Sequence, residues 1–171
     1  DFPNAQDLSF STIVKNPLRP LVDIDKVFPD YSLFEEARFY RPMGGKILKT
    51  IPLETCRGCP YQCTFCNSPM WNKFYHEKCG AVFLRRKSID RLMEEIKYLV
   101  REYNPELLYI VDDTFLARSL EELKDFAQKY QEFKIPFWMN TRPETITQKK
   151  IDLLKEMNCY RISIGVECGS E

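Results

Sequence analysis

From residue 46 onward, short apolar runs alternate with amphipathic stretches, and few folds accommodate that order. Ile47-Leu48-Lys49-Thr50-Ile51-Pro52-Leu53-Glu54 reads as a strand. Leu107-Leu108-Tyr109-Ile110-Val111 is a continuous apolar run, the pattern of a strand buried on both faces. Pro136-Phe137-Trp138-Met139-Asn140 and the run from Tyr160 to Val166 read as two more strands. Between them lie helical patterns. Behind a Ser88 N-cap, Leu92, Met93, Ile96, Leu99, Val100 and Tyr103 recur at spacings of three and four, up to Asn104-Pro105. Ser119-Leu120-Glu121-Glu122 fits a capping box, followed by an inner face of Leu120, Leu123, Phe126, Ala127 and Tyr130. A third helix starts near Thr147 and buries Ile151, Leu154 and Met157. Strands alternating with helices make parallel βαβ units, so the fold class is α/β with a parallel sheet.

The residues suited to chemistry fall just after strand ends: a cysteine loop, Asp112-Asp113, Thr141-Arg142 and Glu167. In barrels and open parallel sheets alike, ligands sit at the C-terminal edge of the strands. Four strand ends with polar or metal-binding residues therefore point to one site on one edge.

Residues 1–45 look different. They carry Pro3, Pro17, Pro20, Pro29 and Pro42 and show no clear hydrophobic period. This segment reads as an irregular lead-in or linker lying over a domain that runs from 46 to 171, with one short helical turn at residues 30–37. Residues 67–80, with Trp71, Phe74 and Tyr75, read as irregular too, and Ala81 to Arg85 as a short extended piece.

Apolar residues make up 44% of the 171, enough for a sizeable core. Lys+Arg and Asp+Glu balance at 25 each, so no general attraction to nucleic acid or an anionic membrane is expected. No apolar run is long enough to span a bilayer. Asp1-Phe2-Pro3-Asn4 is no secretory leader. The chain lacks an initiator Met and stops inside a motif, so it is expected to be a fragment. Its seven cysteines are odd in number and clustered. That argues against a disulfide framework and for a reducing compartment, the cytoplasm, with a metal or redox role.

Cys56, Cys59, Cys63 and Cys66 fall within eleven residues. A [4Fe–4S] cluster normally takes four thiolates; if Cys59, Cys63 and Cys66 alone bind it, one iron stays open to a small chelating molecule. A four-thiolate zinc site is the bland alternative, although three residues between the inner cysteines are cramped for tetrahedral closure. A ferredoxin-like cluster held by all four is another. Either would make the chain a non-catalytic zinc- or Fe–S-binding module.

The string Thr55-Cys56-Arg57-Gly58-Cys59-Pro60-Tyr61-Gln62-Cys63-Thr64-Phe65-Cys66 resembles the signature of the radical S-adenosylmethionine (radical SAM) enzymes, in the version found in their cobalamin-dependent branch. That branch commonly has Ser where Cys56 stands. Ile110-Val111-Asp112-Asp113-Thr114-Phe115 is similar to its second-strand motif, and Ile164-Gly165-Val166-Glu167-Cys168-Gly169-Ser170 to its fourth, which usually has Ser at Cys168. The resemblance covers residues 46–171 and implies a partial (β/α) barrel of the radical SAM type, with about four βα units of six. It implies Cys59, Cys63 and Cys66 as cluster ligands, with Cys56 a neighbour. It places Phe65 near the adenine and Asp112 and Asp113 at the SAM amino group. Glu167 would meet the ribose or methionine moiety, and Arg142 the carboxylate. The implied chemistry is reductive cleavage of SAM to a 5′-deoxyadenosyl radical. The implied partners are a small-molecule substrate and an electron donor such as flavodoxin or ferredoxin. Residues 1–45 resemble the linker after a cobalamin-binding domain, so cobalamin is expected of a longer parent protein. A methylthiotransferase acting on tRNA or protein is the alternative within the family.

Other candidates read as structural. His76 sits in a surface loop pattern. Cys79, Cys159 and Cys168 read as small apolar residues. Phe65, Trp71, Phe74, Tyr75 and Phe83 read mainly as packing.

Overall fold

The computed structural model describes residues 16–167 and Gly169; Cys168, Ser170 and Glu171 of the fourth-strand motif lie outside the described residues, as do residues 1–15 of the lead-in. In chain order come β1 (Tyr40–Met43), β2 (Lys46–Leu53), β3 (Cys56–Arg57), α1 (Ser68–Cys79), β4 (Arg85–Arg86) and α2 (Ile89–Tyr103). Then follow β5 (Leu107–Ile110), α3 (Leu120–Tyr130), β6 (Phe137–Thr141), α4 (Gln148–Glu156) and β7 (Cys159–Ile164).

Five strands form one sheet in the order β1-β2-β5-β6-β7. The β2–β5, β5–β6 and β6–β7 pairs are parallel, as the βα alternation requires. The first pair is not: β1 runs antiparallel to β2, with Tyr40 opposite Lys49 and Met43 opposite Lys46. The sheet is therefore mixed at this edge. Gly44 and Gly45, at φ 56° and 77°, supply the positive φ angles of a two-residue hairpin turn. Pro42 would break a central strand but is tolerated on an edge.

The sheet curls into a half-barrel. The turn after β1 reaches across the barrel to β7 at the far end of the strand order. There Arg161 Nη1 lies 2.9 Å from Met43 Sδ, and a Cβ at Gly44 would come within 2.7 Å of the Tyr160 hydroxyl. Glycine at 44 is favoured by its backbone angle, and the Tyr160 hydroxyl lies close against it.

The outer face of the sheet and the helices α2, α3 and α4 enclose the core. Leu92, Ile96 and Leu99 of α2, Leu123, Phe126 and Tyr130 of α3, and Leu154 of α4 pack on Ile51, Leu53, Leu108, Ile110, Phe137 and Met139. The helix caps are those the sequence specifies: Ser88 on α2, the Ser119–Glu122 capping box on α3 and Thr147 on α4.

Two stretches differ from the sequence reading. Residues 68–79, expected to be irregular, form α1, with proline in its first turn and Gly80 at φ 61° closing it. Its aromatics pack on one another and on Phe83 outside the main core. The lead-in is also more engaged than a linker. Tyr31 and Phe39 join the core against Tyr103, and the Tyr31 hydroxyl donates to the Pro52 carbonyl at 2.5 Å.

Phe126 is completely buried and packs on Phe115 and Tyr130. Phe126→Ala is expected to lower the free energy of unfolding by about 3–5 kcal/mol, read from the midpoint of urea denaturation. A loss below about 1 kcal/mol would show that α3 is not anchored as described.

Candidate functional site

The site begins where β2 runs out, at Thr55. This residue is completely buried and every polar atom it has is used. Its N–H donates to Asp112 Oδ1 at 2.8 Å, and its hydroxyl donates to Asp112 Oδ2. Its carbonyl accepts from the Lys87 N–H at 3.0 Å and from Arg118 Nη2 at 2.9 Å; Arg118 also reaches its hydroxyl oxygen at 2.8 Å. The Cys56 N–H adds a further donor to Asp112 Oδ1 at 2.9 Å. Burial pushes the Asp112 carboxyl above the usual carboxylate range, opposed by these hydrogen bonds and by the nearby Arg118 charge. The cysteine loop is thereby fixed at its root to the ends of β2 and β5.

Beyond this root the cysteines diverge. Cys56 and Arg57, as β3, pair antiparallel with Arg86 and Arg85 of β4. The Cys56 thiol faces the Gly58 carbonyl at 3.7 Å, and burial pushes its pKa up to about 11. It is not among the groups lining the cleft. Cys59, Cys63 and Cys66 all are. Cys59 is buried, with its sulfur 3.7 Å from the Thr114 hydroxyl, and its carbonyl accepts from Asn72 of α1 at 3.0 Å. Cys63 is half-buried and meets the Arg142 guanidinium. Cys66 is exposed, and its sulfur accepts from the Ser68 N–H at 3.4 Å.

The cleft has a volume of about 430 Å³. Its walls include all eight residues singled out from sequence: Cys59, Cys63, Cys66, Phe65, Asp112, Asp113, Arg142 and Glu167. They do not stand alike. The Asp112 side chain is buried and committed to Thr55 and Cys56, whereas Asp113 is exposed at the rim. Phe65 is 71% exposed, placing a bare aromatic face at the mouth. Arg142 lies over the Tyr61 ring at 4.5 Å and binds Glu144 through Nε at 2.7 Å. The Glu144 contact is the main reason its pKa lies above the ordinary arginine value. Glu167 is exposed with φ 63°, and its carboxylate folds back toward Gly165.

Sequence reasoning passed over Thr55, Tyr109, Thr114, Arg118 and Asn140. Asn140 Nδ2 reaches the Asp112 carbonyl and the Tyr109 hydroxyl, both at 3.3 Å, which joins the ends of β5 and β6 beneath the cleft. The period-two alternation of β6 places Asn140 on the same side as Trp138, a signal available from the sequence.

The donor set suits an iron–sulfur cluster better than a single ion. Among the described residues, no three His, Cys, Asp or Glu side chains are arranged to hold one metal ion. A tetrahedral zinc site would need the four thiolates around one point, and Cys56 is turned into its own strand pair. A four-iron cluster takes each thiolate on a different iron, so three separate sulfurs lining one cleft, together with Asp113, Arg142 and Glu167, fit it.

Half-barrel and three-thiol loop together define a class, the βα-barrel proteins that carry a cluster at the C-terminal edge of the sheet. The chain belongs to the radical SAM superfamily, whose sequence model matches residues 53–171. Membership implies a [4Fe–4S] cluster and S-adenosylmethionine. Among curated relatives, an uncharacterized methyltransferase of Pyrococcus horikoshii is 28% identical over 160 residues, 90% of this chain and 32% of the relative. The cytidylyl-2-hydroxyethylphosphonate methyltransferase of Streptomyces wedmorensis is 26% identical over 120 residues, 68% of this chain and 21% of that protein. The chain thus spans between a fifth and a third of these relatives' length. Its fold is also similar to the radical S-adenosylmethionine methyltransferase TsrM of Kitasatospora setae. For the structure with tryptophan substrate and a SAM analog bound, the TM-score is 0.55 at 15% identity, over 69% of this chain and 22% of that one. For the structure with cobalamin and a [4Fe–4S] cluster bound, it is 0.54 at 16%, over 70% and 21%.

The thiols differ in reactivity. With its pKa raised to about 11, only about a thousandth of Cys56 is thiolate at pH 8, and thiolate is the species that alkylates. In the reduced, metal-free chain at pH 8, iodoacetamide is expected to modify exposed Cys66 well before Cys56. Labelling of Cys56 should rise steeply only as the pH approaches 11. Equal rates at pH 8, measured by peptide mass spectrometry, would contradict the burial of Cys56.

Proposed function

We propose that this chain is the cluster-bearing part of a radical SAM enzyme of the cobalamin-dependent branch, with methyl transfer as the favoured reaction. One observation supports this most. Three thiols of one loop share a cleft with polar groups from the ends of β5, β6 and β7. The methyltransferase assignments of the relatives from Pyrococcus and Streptomyces lend support, as does the fold likeness to TsrM. The chemistry such a cluster brings, when bound, is one-electron reductive cleavage of S-adenosylmethionine to a 5′-deoxyadenosyl radical.

The chain's own residues take up the binding. Cys59, Cys63 and Cys66 hold the cluster, and Asp113 accepts hydrogen bonds from the SAM ammonium. Arg142 pairs with the SAM carboxylate, and Glu167 faces the ribose or methionine moiety. Phe65 covers the adenine. The substrate is a small molecule, and cobalamin, bound in the TsrM structure, is the second cofactor this branch would use. An electron donor such as flavodoxin or ferredoxin serves the cluster. No helix among the described residues is long and apolar enough to cross a membrane, and the free cysteines favour the cytoplasm.

Anaerobic reconstitution with iron and sulfide should load about four irons per chain. Cys59→Ala, Cys63→Ala and Cys66→Ala are each expected to lower that content sharply, and Cys56→Ala to leave it near wild type. One equivalent of zinc after aerobic purification, with no affinity for SAM, would sink the enzyme reading.

A further inference from the structure

We infer that Arg118, Thr55 and Asp112 form a buried lock that positions the cysteine loop to receive its cluster. Arg118 and Asp112 are thereby positioning residues and do not touch S-adenosylmethionine. The inference rests on the cluster reading above and assigns roles that the resemblance does not give. By family position Asp112 and Asp113 are equivalent candidates for the SAM amino group; the geometry separates them.

The argument starts from cost. A buried carboxylate and a buried guanidinium are retained only where their partners are secured. Asp112 is 1% exposed and Arg118 3%. Both spend their hydrogen bonds on the residues just ahead of the first cluster ligand. Asp112 takes the N–H groups of Thr55 and Cys56, and Arg118 takes the carbonyl and hydroxyl of Thr55. Arg118 Nε and Nη1 are buried without a hydrogen-bond partner, and Nη1 lies 3.6 Å from Glu122. That guanidinium is held in place by Thr55 and by the charges around it, not by a surface of its own. The same segment touches the loop once more directly and once through β4. Thr114 meets Cys59, and Arg86, paired with Cys56, donates to the Ala117 carbonyl at 3.1 Å.

Residues 112–118 therefore act as a bracket around the root of the cysteine loop. A loop that must hold three sulfurs at the corners of a cluster loses conformational freedom when it binds. A bracket that orders its root beforehand removes part of that cost, as outer-shell partners do at other metal sites.

The test uses the whole chain, reconstituted anaerobically, and follows the rate at which a chelator strips iron, read by visible absorbance. The variants are Thr55→Val, Thr55→Ser, Asp112→Asn and Asp113→Asn. Thr55→Val keeps the shape but leaves Asp112 Oδ2 and Arg118 Nη2 each short of a partner; Thr55→Ser keeps the hydroxyl. T55V and D112N are expected to release iron at least about tenfold faster than wild type. T55S should restore the wild-type rate. D113N should release iron at the wild-type rate while weakening the change that SAM makes in the spectrum of the reduced cluster. Wild-type rates in T55V and D112N would overturn the proposal, as would failure of T55S to rescue. A T55V chain without its helical circular dichroism would overturn a role confined to the loop. A wild-type chain that takes up no iron overturns the cluster reading itself, and the lock falls with it.

Discussion

The buried Thr55, with Asp112 and Arg118 both hydrogen-bonded to it, is the constraint around which the rest of this structure is arranged. Asp112 and Arg118 reach the same buried threonine from opposite ends of the segment after β5. Leaving a buried donor or acceptor without its partner typically costs about 1–3 kcal/mol. The ends of β2 and β5 are already adjacent through parallel pairing of Leu53 with Ile110. The polar lock extends that registry past the last ladder bond to β3 and the root of the cysteine loop.

The two faces of the sheet divide the labour. On β6, Phe137, Met139 and Thr141 turn toward the helices and are buried, while Trp138 and Asn140 are half-buried on the concave side. On β5, Tyr109 takes the concave side and stacks on Trp138 with ring centroids 4.2 Å apart. Trp138 in turn donates to the Ser163 hydroxyl at 2.8 Å, so β5, β6 and β7 are tied across the interior by side chains as well as by their ladders. The outer face supplies the apolar burial that holds the half-barrel together. The inner face carries aromatic and polar groups that a ligand can meet.

Much of this was legible from residue pattern alone. Helices α2, α3 and α4 announce themselves through period and caps, and β5 through its unbroken apolar run. The position of the cysteine loop, Asp112-Asp113, Arg142 and Glu167 after strand ends points to one edge, and these residues line one cleft; Phe65 and the choice of three cysteines rest on the family resemblance. What was missed has local causes. Helix α1 packs its aromatics on Phe83 rather than on the core, so its stripe of Trp71, Phe74 and Tyr75 reads as loop, although the proline in its first turn and Gly80 after its end mark a helix. Strand β1 was obscured by Pro42, which only an edge position allows. The difference between Asp112 and Asp113 was not readable, because adjacent carboxylates differ only in where the backbone aims them. Thr55 and Arg118 gave no sign because their partners lie 57 and 63 residues away in sequence.

In the proposed function three protein thiolates hold the cluster and leave one iron open to S-adenosylmethionine. Electron–nuclear double resonance on the reduced, reconstituted chain tests it most directly, with S-adenosylmethionine labelled at its amino nitrogen and carboxylate oxygen. Hyperfine coupling of the cluster spin to both labels is the predicted result. A cluster whose spectrum is unchanged by the cofactor, with neither label coupled, would show that S-adenosylmethionine does not ligate it and would overturn the three-thiolate, open-iron reading.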